Sequence, residues 1–247
     1  MGMNPRWIKE CYRSARVVSG SGDVLKVVAG SGGTLTGTRI TANEGHPVVM
    51  FSANDCATIP SNVQACDRLE EQVPGMRFLG KTFVASRTPV RGVGPDNKTD
   101  DVVWQLYAAE DDTTVSISAS PGVTGLTFES MVLGRGESVD LLVSGAEQQP
   151  GDFYIVSDKP ISAMQYMTGL KDPYDSYTGG LGDPAMVYVS PTEQFFQPYG
   201  IQTFPGRHLR NHAPLIPVHI ATYSRIGQID THCPKRRPLQ TSRTIPS

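Results

Sequence analysis

Charge is scarce in this chain, and so are cysteine and tryptophan. Charged residues fill 19% of 247 positions, with four cysteines and two tryptophans. Four cysteines are too few for a disulfide-dense miniprotein, in which cross-links replace a core. No run of about 18 apolar residues occurs, which excludes a helical membrane span. The net charge of −2 carries no global footprint for nucleic acid. The first eighteen residues lack the unbroken apolar stretch of a secretory signal, because Arg6, Lys9, Arg13 and Arg16 interrupt every candidate. Trp7, Cys11 and Ala15 recur at i+4 there. A short basic amphipathic helix and a frayed start are the two readings, and the second is preferred.

Glycine (25) and proline (19) are abundant. Both weaken helix interiors, so the composition points to a turn-rich all-β chain. The pattern along the middle agrees. Val102–Ala108 is rich in β-branched and aromatic residues, and Thr114–Ser118 alternates. With the polar turn Glu110-Asp111-Asp112-Thr113 between them, the two predict a hairpin. Further strands are expected at Phe128–Leu133, Ser138–Ser144, Phe153–Val156 and Ile161–Met167, the last two separated by Ser157-Asp158-Lys159-Pro160. A strand about every ten residues suits a sandwich better than alternating β and α units. One helical turn is expected over Ser61–Val73. Ser61 and Gln64 match a capping box, and Val63, Cys66, Leu69 and Val73 follow at helical spacing.

Two stretches look alike. Gly20, Gly22, Asp23 and Gly37 align with Gly134, Gly136, Glu137 and Gly151 at a constant offset of 114. Pro47 then aligns with Pro160, and Glu71-Gln72 with Glu193-Gln194. A repeat of this length is too long for a solenoid unit and fits one β-sandwich module. The expected architecture is all-β, with tandem sandwich-like modules repeating at about 114 residues. Residues 1–76 form a partial first module, 77–206 a complete second one, and 207–247 an irregular tail. Nothing upstream corresponds to Asp101–Ser118, so the first module reads as incomplete and the chain as a fragment. The tail holds seven basic residues against one acid, while the other 206 positions hold fifteen against twenty-three. It also holds His208, His212, His219 and His232, four of the five histidines, and is expected to stay disordered. Binding of the tail to nucleic acid or an anionic surface is a third-ranked reading, and no nucleic-acid partner is expected.

Motifs for chemistry are weak. Gly20-x-Gly22 and Gly134-x-Gly136 lack the third glycine and following helix of a dinucleotide fingerprint, and hairpin turns explain them. Glu110-Asp111-Asp112 suits a solvated turn. Asp172, Asp175 and Asp183 share a Gly/Tyr-rich loop that could hold calcium, but a flexible loop accounts for them. His46 beside Pro47 is read as a turn histidine. His232-Cys233 lacks a zinc partner at usable spacing. No GxSxG elbow exists. Asn97-Lys98-Thr99 fits the glycosylation triplet, which matters only in a eukaryotic secretory setting. No catalytic residue, metal ligand or cofactor is expected.

The string Pro47–Ser86 (PVVMFSANDCATIPSNVQACDRLEEQVPGMRFLGKTFVAS) resembles the N-terminal domain of the IgGFc-binding protein family. The matching residues are Pro47, Phe51, Ser52, Cys56, Pro60, Cys66, Asp67, Leu69, Glu71, Gln72, Pro74, Gly80, Lys81 and Phe83. The segments DVVWQLYAAEDDTTVSI, SDKPISAMQYMTG and DPAMVYVSPTEQF resemble it as well. The resemblance covers roughly residues 20–205 and stops near Phe204. It implies an extracellular or cell-surface β-rich binding or adhesion module, not an enzyme, with a protein or glycan ligand and no membrane span. The family's mammalian namesake is secreted and named for binding the Fc part of IgG, whereas similar domains in bacterial surface proteins imply no such ligand. A carbohydrate-active β-sandwich hydrolase is the alternative, and would need two carboxylates about 5–10 Å apart in a cleft. The family pattern has cysteines at Cys56 and Cys66, and Pro60 and Ser61 between them turn the chain back. A disulfide between them is therefore expected, with Cys11 and Cys233 unpaired. Ligand specificity is expected in the longest polar interruptions, Gly92–Asp100 and Lys171–Asp183.

Overall fold

The computed structural model describes residues 26–29, 33–61, 63, 66–93, 97–146, 148–149, 151–169 and 182–195. The first eighteen residues with their two readings, the Gly20–Asp23 turn, Cys11, Cys233, Asp172, Asp175 and the basic tail lie outside them. The chain divides into two units, Met1–Thr36 and Gly37–Ser247. In the first, the Thr34 hydroxyl accepts a bond from the Thr36 N–H at 3.1 Å.

The described chain is all-β. Its strands are β1 (Met50–Ala57), β2 (Asp67–Val73), β3 (Gly80–Ala85), β4 (Val102–Ala108), β5 (Thr113–Ala119), β6 (Ser130–Leu133), β7 (Ser138–Val143), β8 (Phe153–Met167) and β9 (Ala185–Val189). Short 3-10 turns occupy Met76–Phe78 and Thr192–Gln194. β1 and β2 pair antiparallel as a two-stranded sheet, and β3–β9 form a seven-stranded one.

Three local expectations change. Asp67–Val73 is a strand, not a helical turn. Leu69 and Val73 are four apart, a spacing that places them on one face of a helix and equally of a strand. Pairing with β1 decides between the two: Met50 faces Val73 and Asn54 faces Leu69. Next, β4 and β5 do not form a hairpin. They lie on either side of the connection Ala109–Asp112, yet each pairs with β8 rather than with the other. Finally, Phe153–Met167 is one strand of 15 residues, not two. Ser157-Asp158-Lys159-Pro160 bends it without ending it.

That bend shapes the molecule. The first half of β8 pairs with β5 along one edge and β3 along the other, Ile155 facing both Ile117 and Phe83. The second half pairs with β4 and β9, Ala163 facing both Leu106 and Val189. Trp104 pairs with Gln165, which is twelve residues from Phe153 along β8. A straight strand would separate those positions by about 40 Å at 3.3 Å per residue. The rings of Trp104 and Phe153 nevertheless meet edge to face, with centroids 5.2 Å apart. The sheet is therefore curled until one half covers the other. Side-chain parity survives the bend: Phe153, Ile155, Ser157, Ile161, Ala163 and Gln165 are all buried.

Polar groups stitch the bend. The Ser157 hydroxyl donates to the Lys159 carbonyl at 2.7 Å, and Asp158 Oδ1 accepts from the Thr114 N–H at 2.8 Å. Pro160 has no N–H to leave unpaired, which suits a position where the ladder changes partners. The core comprises Phe83, Val102, Trp104, Leu106, Val115, Leu141, Val143, Phe153, Ile155 and Ile161 with smaller neighbours, contributed by both halves. Gly125 supplies a close approach: its φ is +87°, and a Cβ there would collide with the Leu142 carbonyl.

Trp104 carries the contact between the halves, so Trp104→Ala should lower stability by about 3–5 kcal/mol, the usual cost of truncating a buried large aromatic. Val132→Thr, on an exposed side chain of β6, should stay within about 0.5 kcal/mol. Urea unfolding followed by far-UV circular dichroism measures both.

Candidate functional site

Three loops meet where β4 begins and β8 ends, two from the curled sheet and one from the β1–β2 pair. They are the loop between β1 and β2, the loop from Ser86 to Asp101, and the loop between β8 and β9. Of the two loops expected to hold specificity, Gly92–Asp100 is described except for residues 94–96. Of Lys171–Asp183 only Gly182 and Asp183 are described, and Asp183 is exposed. The stems of both are joined.

The joint is a carboxylate gripped by two guanidiniums. Asp100 Oδ1 accepts from Arg87 Nη2 at 2.8 Å, and Asp100 Oδ2 accepts from Arg91 Nε at 2.8 Å. The side chains of Arg87 and Asp100 are each 3% exposed. Arg87 Nη1 also donates to the Asp100 carbonyl at 2.7 Å and to the Thr99 hydroxyl at 3.0 Å. Arg91 reaches across to β8's end, donating to the Thr168 carbonyl at 2.6 Å and its hydroxyl at 2.7 Å. The two ends of the Ser86–Asp101 loop thus close on one carboxylate, and Arg91 also holds the first residue past β8. Burial pushes the Arg87 guanidinium below its usual pKa, against the upward pull of Asp100. Charge-assisted bonds of this kind offset the cost of desolvating the ions only when geometry is good on both partners.

The loop between β1 and β2 is tied covalently. Cys56 and Cys66 form a disulfide with Cα atoms 5.0 Å apart. Within the loop the Val63 N–H donates to the Pro60 carbonyl at 3.1 Å, and Val63 is buried. The Gly169 N–H donates to the Ile59 carbonyl at 2.8 Å, so this loop rests against the start of the loop after β8. Without the cross-link a β1–β2 pair standing alone would be marginal.

Other motifs resolve plainly. Glu110, Asp111 and Asp112 form a turn, with Asp112 at φ 52°. Arg135 pairs with Asp111 at 3.4 Å, and Lys159 Nζ donates to the carbonyls of Asp111 and Asp112. These bonds account for the acids as a solvated turn. His46 donates its backbone N–H to the Asn43 carbonyl at 3.1 Å, a turn contact. In the glycosylation triplet Asn97 is exposed at φ 61°, whereas Thr99 is buried and its hydroxyl donates to the Gly145 carbonyl at 3.1 Å. Sequence reasoning passed over Arg87, Arg91 and Thr168, because nothing in their local spacing distinguishes a buried arginine from a solvated one.

Asp100→Asn should lower stability by about 3–5 kcal/mol, because the buried Arg87 and the partly buried Arg91 both lose the charge of the carboxylate they share. Arg68→Ala, at the exposed Arg68–Glu70 pair, should cost no more than about 1 kcal/mol. Thermal melts of both variants check this contrast. Peptide mapping without reductant should yield a Cys56–Cys66 cross-linked peptide that reductant removes. The Cys56→Ser, Cys66→Ser double variant should lose up to roughly 3 kcal/mol, as a loop of about this length gives in the chain-entropy treatment.

Neither the curated proteins nor the solved structures contain a match to this chain. A family model does match, and it runs past Phe204, near which the resemblance read from the sequence stops, into the basic segment. That model, described as IgGFc binding protein, spans residues 15–241, and the chain belongs to this family.

Proposed function

We propose that the chain is a non-catalytic binding module of a secreted or cell-surface protein, and that it meets a protein or glycan ligand at the end of the sheet where the three loops emerge. The observation that carries this reading is the bracing of that end. One loop is closed by a disulfide, and two loop stems are tied through Asp100, Arg91 and Thr168. A rigid scaffold holding loops whose tips stay free to vary is the common arrangement of a recognition surface. Bracing lowers the ordering entropy that a ligand would otherwise have to offset. Membership of a family named for binding supports the same reading. The disulfide supports an oxidising compartment, since such bonds persist there and are rare in the cytosol.

The reading is tested with two probes, IgG Fc fragment and a printed glycan array, against the immobilised full-length chain. Saturable binding to one probe class is expected. Replacing residues 92–97 with a Gly-Ser linker of equal length should abolish it, with the far-UV spectrum unchanged. A hydrogen-exchange footprint on the strand faces instead of the loops, or no saturable binding by either class, overturns the proposal.

A further inference from the structure

We propose that the outer edge of β1 is an acceptor for an added strand, and that its occupant has the chemistry of Val102–Ala108: an antiparallel strand with apolar side chains at alternate positions. The inference stands on strand register and does not depend on the loop-end reading, so either can fail alone.

The register of β1–β2 matches that of β8–β9. Met50 lies three residues after Pro47 and pairs with Val73. Ala163 lies three residues after Pro160 and pairs with Val189. From there both ladders run alike, Asn54 facing Leu69 and Met167 facing Ala185. Three residues beyond each valine a 3-10 turn begins, at Met76 and at Thr192. Both turns close the same way, the Leu79 N–H on the Met76 carbonyl and the Phe195 N–H on the Thr192 carbonyl. Gly37 and Gly151, aligned by the sequence repeat, both take positive φ, +88° and +121°. This correspondence supports the repeat while moving one part of it. Glu71-Gln72 lies in β2 and Glu193-Gln194 in the second 3-10 turn, so that pair is not equivalent.

The equivalence marks a place beside β1 that no described strand fills. The second half of β8 is paired on both edges, by β9 and by β4. In the first copy β2 holds the place of β9, and no strand among the described residues holds the place of β4. The exposed edge carries unusual chemistry for an edge. Val48, Val49 and Phe51 are 61%, 69% and 59% exposed, and no charge occurs from Pro47 to Asn54. Natural edge strands are usually guarded by charge, and a flat apolar one invites pairing. Addition of a strand to such an edge is an established binding mode, with backbone bonds supplying affinity and alternate side chains supplying specificity. The register names the contacts. Ala163, Gln165 and Met167 face Leu106, Trp104 and Val102, so Met50, Ser52 and Asn54 are the positions that an occupant's equivalents would face.

The test uses the full chain and a synthetic peptide of residues 101–109 carrying lysines at both ends for solubility. Hydrogen exchange over Met50–Asn54 is expected to slow several-fold when the peptide is added. A peptide with Asp at the positions of Val102, Trp104 and Leu106 should leave it unchanged. The double variant Val49→Lys, Phe51→Lys should lose the peptide effect while the β3–β9 melt stays in place. Three outcomes overturn the proposal. The first is unchanged exchange over Met50–Asn54 with the native peptide. The second is protection confined to strands of the seven-stranded sheet, which marks exchange with the resident β4. The third is concentration-dependent protection of β1 without peptide, matched by dimer in sedimentation velocity, which makes a second copy the occupant.

Discussion

The bend in β8 is the constraint on which the rest depends. One strand of 15 residues carries four pairing partners, two on each half, so the path of β8 sets the position of β3, β4, β5 and β9 together. Because Trp104 and Phe153 touch although their sites on the strand are far apart, the core exists only when β8 is folded over. Burial of apolar side chains from both halves drives the bend. The hydrogen bonds at Ser157 and Asp158 make it affordable, since a strand that changes partners would otherwise strand polar groups.

The loop end is built on the same frame by different means. At the point where β4 starts and β8 ends, packing gives way to polar groups that must be satisfied individually. Asp100, Arg87, Arg91 and Thr168 meet this requirement by bonding to one another and to backbone carbonyls. Such a network is worth little as net stability compared with an apolar replacement, yet it tolerates no missing partner. It therefore specifies where the loop stems lie. The disulfide acts likewise on the β1–β2 pair, which has little core of its own.

Legibility in the sequence followed the range of the interaction. β-branched and aromatic content marked Val102–Ala108, and period-two alternation marked Thr114–Ser118, because each is a property of the strand's own residues. Turn chemistry at Gly134–Glu137 was visible for the same reason: the Glu137 N–H bonds back to the Gly134 carbonyl at 3.0 Å within four residues. The misread Asp67–Val73 shows the limit. Its apolar spacing satisfies two periods at once, and a partner strand ten or more positions away makes the choice.

By itself, then, the sequence determined the all-β class, the places of most strands, the cysteines joined by the disulfide and the family pattern that contains them. These depend on composition, on neighbours a few residues apart, or on ordered motifs along the chain. Only the tertiary structure decided that β8 is continuous, that β4 and β5 are separated by it, that Arg87 and Arg91 share one buried carboxylate, and that β1 pairs on one edge alone among the described residues. Each of these depends on which segments meet across the sheet. A strand's alternation records which face is buried but not which strand lies beside it, because backbone hydrogen bonds are the same for every partner.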